Sequence, residues 1–313
     1  MTKADDSSLD PDQRRAVEKR ARRLLDRADA WDRYPTPVDD ILAAANLKVA
    51  KSGIFDPAKL AAFVSEKTTE ATANVKSAVD KVFGLYDGVE NLIHIDKSVV
   101  ATKQTFLKLH ETGHHEIPAH RKMFRFFQDC RKTLSPEIAD QFEREANNFA
   151  RFTLFQGDTY MKSAADCADE IKTPMRLAKN FGASIYASMR EYARTHHKAC
   201  VVYALEPIKT AEDGSIQAAV RRIEPSASFR KQFGAPKDKA ITLDHALGPV
   251  LPIGRKMTKP TSLSITDKNG VEHECVAEAF NTTWNILILL FPVRALTATT
   301  IIIPPAGGTY AAE

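Results

Sequence analysis

Two histidines of this chain stand four residues apart and enclose a glutamate, in the segment His110-Glu111-Thr112-Gly113-His114. On an α-helix, residues four apart lie on one face, so both imidazoles can reach the same metal ion. Glu111 is turned by about 100° from His110 and can address a water on that ion. Zinc lowers the pKa of such a water to about 7 and polarises a carbonyl. The segment therefore predicts metal-assisted amide hydrolysis, with Glu111 as the general base.

A third protein ligand is needed to leave one metal position open for water. His120 follows His110 by ten residues, which is a known spacing for a third histidine. That arrangement needs a glycine at position 117 to turn the chain back, and this chain has Ile117 followed by Pro118. Proline ends the helix without supplying a flexible turn, so His120 is not the favoured ligand.

A glutamate on the next predicted helix is the better candidate for the third ligand. Glu143 flanks the buried stripe of that helix, which consists of Ile138, Phe142, Ala146, Phe149 and Ala150. A carboxylate beside the core is costly unless it meets a cation, and a metal ion would supply one. Glu145 lies only two residues away, and helical geometry alone leaves both glutamates open.

Other side chains would have to support these ligands. A ligating imidazole usually donates its second N–H to an oxygen, and Asn147 lies one helical turn beyond Glu143, where its amide oxygen could serve His110 or His114. A hydrogen-bond donor for the tetrahedral oxyanion is also required. The residues alone do not choose among the candidates for it, which are His115, Tyr160 and Tyr186.

The elements that position these residues are mostly helical in the first two thirds of the chain. The site helix is expected at 102–117, because Phe106, Leu109, Gly113 and Ile117 recur on one side. The segment NLIHID alternates apolar and polar residues as a short strand does. Further helices are expected at 10–33, after the N-cap Thr36, at 57–82, at 136–155, and on either side of Gly182 within 173–195.

After Lys198 the pattern changes to short apolar runs typical of strands. They cover 201–203, 218–223, 262–267, 271–279 and 285–293, and Asn269-Gly270 between two of them is a strong hairpin signal. The fold class is therefore α+β, with a helical N-terminal part and a β-rich C-terminal domain. We divide the chain into an N-terminal helical extension (1–34), a metal-site domain (35–165), a helical connector (166–198), the β-rich domain (199–296) and a tail (297–313).

Weaker signals lie outside the metal motif. The stretch 177–184 resembles the first half of a helix-turn-helix, and a basic end at 194–198 could meet phosphates, although packing as a helical subdomain is the simpler interpretation. The run 121–132 mixes basic and aromatic residues and suits an amphipathic helix. His245 and His273 lack ligand spacing and are expected to be structural or exposed.

Composition limits the class of protein. The 313 residues are 43% hydrophobic and 27% charged, which is globular composition, and the formal net charge of +4 is too small to indicate nucleic-acid binding by itself. The start is polar, the longest strictly aliphatic and aromatic run is the six residues 286–291, and the four cysteines form no C-x-x-C pair. These features predict a cytoplasmic protein without a membrane span.

At this point the residues resemble a known family. A short strand, a spacer, the segment F-x-x-x-H-E-x-G-H and a downstream E-x-E-A-N-x-F-A are similar to the ImmA/IrrE family of zinc metallo-endopeptidases over about residues 35–206. The resemblance implies a helical, gluzincin-like zincin domain with a small sheet, and zinc (or alternatively Mn²⁺) bound by His110, His114 and Glu143, with Glu111 as base. It also implies a C-terminal domain resembling a GAF sensor fold.

The resemblance further implies a protein substrate, a helix-turn-helix repressor whose cleavage relieves repression of stress-response or mobile-element genes. Direct binding to DNA is not expected, and the oligomeric state is left open. Two other classes of function remain in view. One is a zinc-stapled regulator that binds a repressor without cutting it, and the other is a DNA-binding factor built on residues 175–198.

Overall fold

The structure, a computed structural model, describes residues 7–50, 84–88, 90–96, 98–121, 136–210 and 214–293. The helix expected at 57–82, most of the basic aromatic run 121–132 and the tail lie outside these residues. Across the described ranges, every helix is too short or too polar to cross a membrane.

The N-terminal part consists of helices around a small sheet. Its elements are α1 (Pro11–Arg27), α2 (Val38–Ala44), β1 (Lys48–Val49), β2 (Gly84–Asp87), β3 (Leu92–Ile95), α3 (Ala101–Glu116) and α4 (Pro136–Leu154). In the sheet the strands run in the order β1-β3-β2, with β2 antiparallel and β1 parallel to β3. The strand β3 matches the expected NLIHID strand, and α3 and α4 match the two expected site helices to within a residue.

The helix α3 is enclosed between the small sheet and α4. It contacts β2 and β3 on one side and packs along α4 on the other. Every residue from Leu109 to His115 is therefore buried, including the polar ones. A helix buried on all sides in its second half is expected to have a weak amphipathic pattern, because no face there is left for solvent.

The beginning of the chain is part of the same core. Asp10 caps α1 by accepting hydrogen bonds from two backbone N–H groups, and Gln13 completes a capping box. The buried face of α1 packs along α4 and joins the core around the metal motif. The expected N-cap role of Thr36 is wrong: Pro37 is the N-cap residue of α2, and the Thr36 hydroxyl donates to the Leu154 carbonyl instead.

Three shorter helices connect the two parts of the chain. They are α5 (Asp158–Ala165), α6 (Lys172–Phe181) and α7 (Ile185–Thr195). Gly182 ends α6 in the left-handed conformation, and the Ser184 hydroxyl caps α7, as a helix-turn-helix pattern predicts. However, the residues 188–193 of α7 are all buried, because α7 packs against the C-terminal sheet.

The C-terminal part contains a sheet of seven strands, all of whose pairs are antiparallel. Its elements are β4 (Val201–Leu205), β5 (Lys209–Thr210), β6 (Ile216–Pro225), α8 (Ala227–Phe233), β7 (Ala240–Thr242), β8 (Thr261–Thr266), β9 (Glu272–Asn281) and β10 (Ile286–Pro292). The order is β5-β6-β4-β10-β9-β8, with β7 beside β6. The five expected strands are all present, and β8 and β9 form the hairpin around Gly270, whose φ is positive.

Both faces of the central strands are covered. On β10, Leu287 and Leu289 join the core shared with the helices, whereas Ile286, Ile288 and Leu290 join a second core on the opposite face of the sheet. Successive side chains of a strand point to opposite faces, so a continuous apolar run is what a strand buried on both sides requires. The α+β fold class is thus confirmed. The resemblance of the C-terminal part to a GAF domain stays a prediction.

A buried ion cluster ties the connector to the sheet. Glu224 of β6 accepts from Arg194 at 2.8 Å and from Arg190 at 3.2 Å, both on α7. Burial would raise the pKa of Glu224, but the two guanidinium groups outweigh burial and lower it. The ionised carboxylate is therefore held in the folded state.

We expect Glu224→Ala to lower the free energy of unfolding by about 3 kcal/mol, because it leaves the buried Arg190 and the half-buried Arg194 without their carboxylate. Since the folded-state pKa of Glu224 lies below its usual 4.5, this stabilisation is present above pH 4.5 and is lost as the pH falls through the lower, folded-state value. Urea unfolding at neutral and acid pH measures both effects. The exposed Glu274→Ala is the control, and a difference between wild type and Glu224→Ala that does not shrink in acid would contradict the assignment.

Candidate metal centre

The close approach of α3 and α4 depends on Gly113. A Cβ at this position would lie 3.2 Å from the Ala146 Cα and 3.2 Å from the Phe149 Cβ, both on α4. The absence of a side chain lets the two helices meet where the histidines of α3 face the glutamates of α4. Gly113 is thus needed for packing at the centre of the histidine motif.

Three side chains converge between these helices. The Nε2 atoms of His110 and His114 are 3.2 Å apart, and the Glu143 carboxylate lies 3.2 Å from the first and 3.5 Å from the second. The ligand atoms of all three residues lie within 4.8 Å of one another. Two imidazole nitrogens and a carboxylate oxygen are a donor set that zinc accepts, so this group can hold a metal ion.

The protonation states of the three residues suit a cation. Burial lowers the pKa of His114 to about 4, so its imidazole is neutral at pH 7. Burial would raise the pKa of Glu143, but hydrogen bonds with His110 and His114 outweigh it and lower the pKa, so Glu143 is ionised. The same carboxylate raises the pKa of His110 against the effect of burial. A divalent ion would displace that proton, as metal binding generally does.

Asn147 holds the first histidine. Its Oδ1 lies 3.1 Å from the Nδ1 of His110, and Asn147 is buried one turn beyond Glu143 on α4. With the amide oxygen as acceptor, Nδ1 carries a proton, so Nε2 is the nitrogen that can be offered to a metal ion. This is the contact that the spacing of Asn147 from Glu143 suggests.

His120 and Glu145, the other two candidates for the third ligand, contact each other beside His114. His120 Nδ1 lies 3.1 Å from His114 Nδ1, and His120 Nε2 lies 2.8 Å from the Glu145 carboxylate. Ile117 is extended and breaks the helix as predicted, and a short helical turn at 118–121 then carries His120 back toward α4. Glu145 is thus engaged by His120, whereas Glu143 faces both His110 and His114.

Glu111 lies at the same centre in a different environment. It is 7% exposed, and its carboxylate accepts a hydrogen bond from the backbone N–H of Tyr86 on β2. Burial, assisted by the neighbouring Glu143 charge, raises the pKa of Glu111 to about 7 despite the opposing effect of His110. A carboxyl group with this pKa can take up and release a proton near neutral pH, as a general base must.

The three candidates for the oxyanion donor are engaged elsewhere. His115 Nδ1 lies 2.7 Å from the Tyr86 hydroxyl, and the Tyr160 hydroxyl is fully buried and donates to the Ser188 carbonyl. The Tyr186 ring lies beneath the guanidinium groups of Arg190 and Arg221. None of these contacts directs the side chain toward the ligand atoms.

The sequence suggests a turn at Tyr86-Asp87-Gly88, but Tyr86 lies in strand β2, and sequence reasoning missed its role at this centre. Its backbone holds Glu111 and its hydroxyl meets His115, yet it lies 24 residues before the motif, on a strand. A strand residue carries no spacing signal that links it to a helix so far along the chain. Only the expected strand 91–96, paired here with β2, pointed to a sheet in this place.

We expect Gly113→Ala to weaken metal binding and to lower the free energy of unfolding by about 1–3 kcal/mol, the usual cost of overpacking. The new methyl group meets the Ala146 backbone, which cannot rotate away, so α4 must shift and carry Glu143 from the histidines. Zinc titration and urea unfolding measure the two effects. Unchanged zinc affinity together with higher stability would contradict the prediction, because it would mean that the space between α3 and α4 accepts a methyl group at position 113.

Comparisons with known proteins identify no family for this chain. The chain matches no protein-family model, and it matches no curated protein. Among solved structures it is similar to a Mycobacterium tuberculosis transcriptional regulator, with 12% sequence identity and a TM-score of 0.47, over 88% of this chain and 75% of that one. The resemblance to the ImmA/IrrE family therefore stays a prediction from the motifs.

Proposed function

We propose that this chain is a zinc-dependent endopeptidase that hydrolyses a peptide bond in a helix-turn-helix transcriptional repressor and so relieves repression. The observation that carries the proposal is the combination at one centre of a metal-holding group, His110, His114 and Glu143, with a buried Glu111 whose pKa is near 7. A structural metal site needs no such base. The substrate class comes from the motif resemblance.

The residues fit zinc in ligand type and in proton arrangement. Three protein ligands leave a fourth position for water or substrate, which is the pattern of catalytic rather than structural zinc. When bound, the ion would supply Lewis-acid polarisation of the scissile carbonyl and lower the pKa of the attacking water. The same donors also accept Mn²⁺, so the choice of zinc as the metal used in the cell is itself a part of the proposal that needs testing.

Glu111 would move the proton. The Glu111 carboxylate accepts a hydrogen bond from the Tyr86 N–H, and we propose that it also accepts the proton of the attacking water. The protonated Glu111 would then return the proton to the leaving amine. Asn147 orients His110 and burial keeps His114 neutral, so each remains a ligand through this exchange.

The test is direct cleavage. The purified chain with one equivalent of zinc is incubated with candidate helix-turn-helix repressors from the same genome, and fragments are identified by mass spectrometry. We expect a single main cut that a chelator prevents and added zinc restores. A repressor that binds stoichiometrically yet stays intact would contradict the proposal and favour the non-cleaving, zinc-stapled regulator.

Direct DNA binding is not supported by the packing of α7. A recognition helix must present its side chains to the major groove, but Ser188, Met189, Tyr192 and Ala193 are buried. Arg190 and Arg194 pair with Glu224. A salt-dependent shift of duplex DNA by this chain alone would revive the third class of function.

A further inference from the structure

We propose that His120 and Glu145 are positioning residues that hold His114 in one tautomer and orientation for the metal. The inference rests on the proposed metal site but goes beyond its ligands and base. Both residues are candidates for the third ligand by sequence, and the structure gives them a different place. They form a buried chain that begins at the far nitrogen of His114.

The proton positions in this chain follow from the donor and acceptor inventory. His114 turns Nε2 toward His110 and Glu143, so a metal-binding His114 must carry its proton on Nδ1. That N–H donates to His120 Nδ1 over 3.1 Å, which leaves the His120 proton on Nε2. The Nε2–H then donates to the Glu145 carboxylate over 2.8 Å. One assignment therefore satisfies every atom in the chain.

The side chains of His120 and Glu145 are both held in place by further contacts. The His120 ring is 0% exposed and stacks on Phe142, with ring centres 3.9 Å apart. The second oxygen of Glu145 accepts from the Gln141 side chain at 2.8 Å. Phe142, Glu145 and Gln141 all belong to α4, so the helix that supplies the ligand Glu143 also fixes the partner of His114.

The two ligating histidines are thus supported in different ways. His110 donates to the neutral amide of Asn147, whereas His114 is linked through His120 to a buried carboxylate. A carboxylate behind a histidine raises the basicity of the ligand as well as fixing its orientation. We therefore expect both the hydrogen bond and the charge to contribute to metal affinity.

Three variants separate these contributions. His120→Phe keeps the ring on Phe142 but removes the acceptor, and we expect about 10- to 100-fold weaker zinc binding, the usual loss when such a partner is removed. His120→Asn restores an acceptor oxygen near the Nδ1 position and should recover most of that loss. Glu145→Gln keeps an acceptor for His120 but removes the charge, and should lie between wild type and His120→Phe.

Zinc affinity is measured by competition with a chromophoric chelator, and the visible spectrum of the Co²⁺-substituted protein reports the ligand field independently of activity. The control is Glu137→Gln, an exposed carboxylate on the same helix. We expect the Co²⁺ spectrum to change in His120→Phe and Glu145→Gln but not in the control. If His120→Phe does not fold, His120→Asn and Glu145→Gln carry the test.

Wild-type zinc affinity together with an unchanged Co²⁺ spectrum in His120→Phe and Glu145→Gln would overturn the inference. A loss of stability without a loss of affinity would also overturn it, because that result marks a purely structural pair. The proposed function can fail separately. If the wild-type chain binds zinc but cuts no repressor, the proposed peptidase activity is contradicted. Weaker zinc binding by these variants would still support the positioning role.

Discussion

Replacing Glu111 with glutamine is expected to abolish repressor cleavage while leaving zinc binding intact. The amide oxygen of glutamine can still accept the Tyr86 N–H, so the buried position remains satisfied. What is lost is the group that takes the proton from the attacking water, and removal of a general base costs about 10²- to 10⁴-fold in rate. Single-turnover cleavage with the zinc-loaded variant measures this loss.

The control for this experiment is Glu90→Gln, an exposed carboxylate in the turn between β2 and β3. It removes the same charge from the same part of the chain without touching the metal centre. A Glu111→Gln protein that cuts at the wild-type rate would contradict the assignment of Glu111 as the general base. Since zinc content is measured on the same samples, a loss of metal cannot be mistaken for a loss of the base.

Replacing Glu143 with alanine is expected to weaken zinc binding by more than about 100-fold, beyond the loss caused by removing a partner of a ligand. Glu143 is the acidic member of the candidate metal-holding group, and its carboxylate oxygens lie 3.2 Å and 3.5 Å from the two Nε2 atoms. His110→Ala should act similarly, since each variant leaves two protein ligands. Calorimetric titration with zinc measures the affinity and the stoichiometry.

Glu137→Ala on the exposed face of α4 is the matched control for Glu143→Ala. Undiminished one-to-one zinc binding in both Glu143→Ala and His110→Ala would refute the ligand set. The comparison with Glu145→Gln is also informative, because the two glutamates are only two residues apart. A larger loss at Glu145 than at Glu143 would reverse their assignment.

The pair of histidines and the glutamate between them could be recognised from the sequence because their relation is local. Residues four apart on a helix share a face whatever the rest of the chain does, and the apolar residues around them indicated a buried helix. The alternation of strands after Lys198 is local in the same sense. Each of these expectations depended on spacings of a few residues, and the structure has the elements in those places.

The choice between Glu143 and Glu145 was not local. Side chains two residues apart on a helix point in directions that differ by about 200°, so Glu143 and Glu145 lie on nearly opposite sides of α4. The choice between them therefore depends on which side of α4 meets α3 and which meets His120. That orientation follows from the contact of Gly113 with Ala146 and Phe149. The helix break at Ile117 was the reason for not favouring His120 as a ligand. In the structure the same break lets His120 lie behind His114.

The sequence by itself thus determined the α+β class, the candidate metal motif and the glutamate that we propose as its general base, because helix and strand periodicity act within a few residues. Only the tertiary structure decided the support for the site: the Tyr86 N–H on Glu111, the amide of Asn147 on His110, and the carboxylate of Glu145 behind His120. These contacts join residues 25 to 37 positions apart. Hydrogen bonds over such separations follow from how the helices and the sheet pack, and no local pattern encodes that packing.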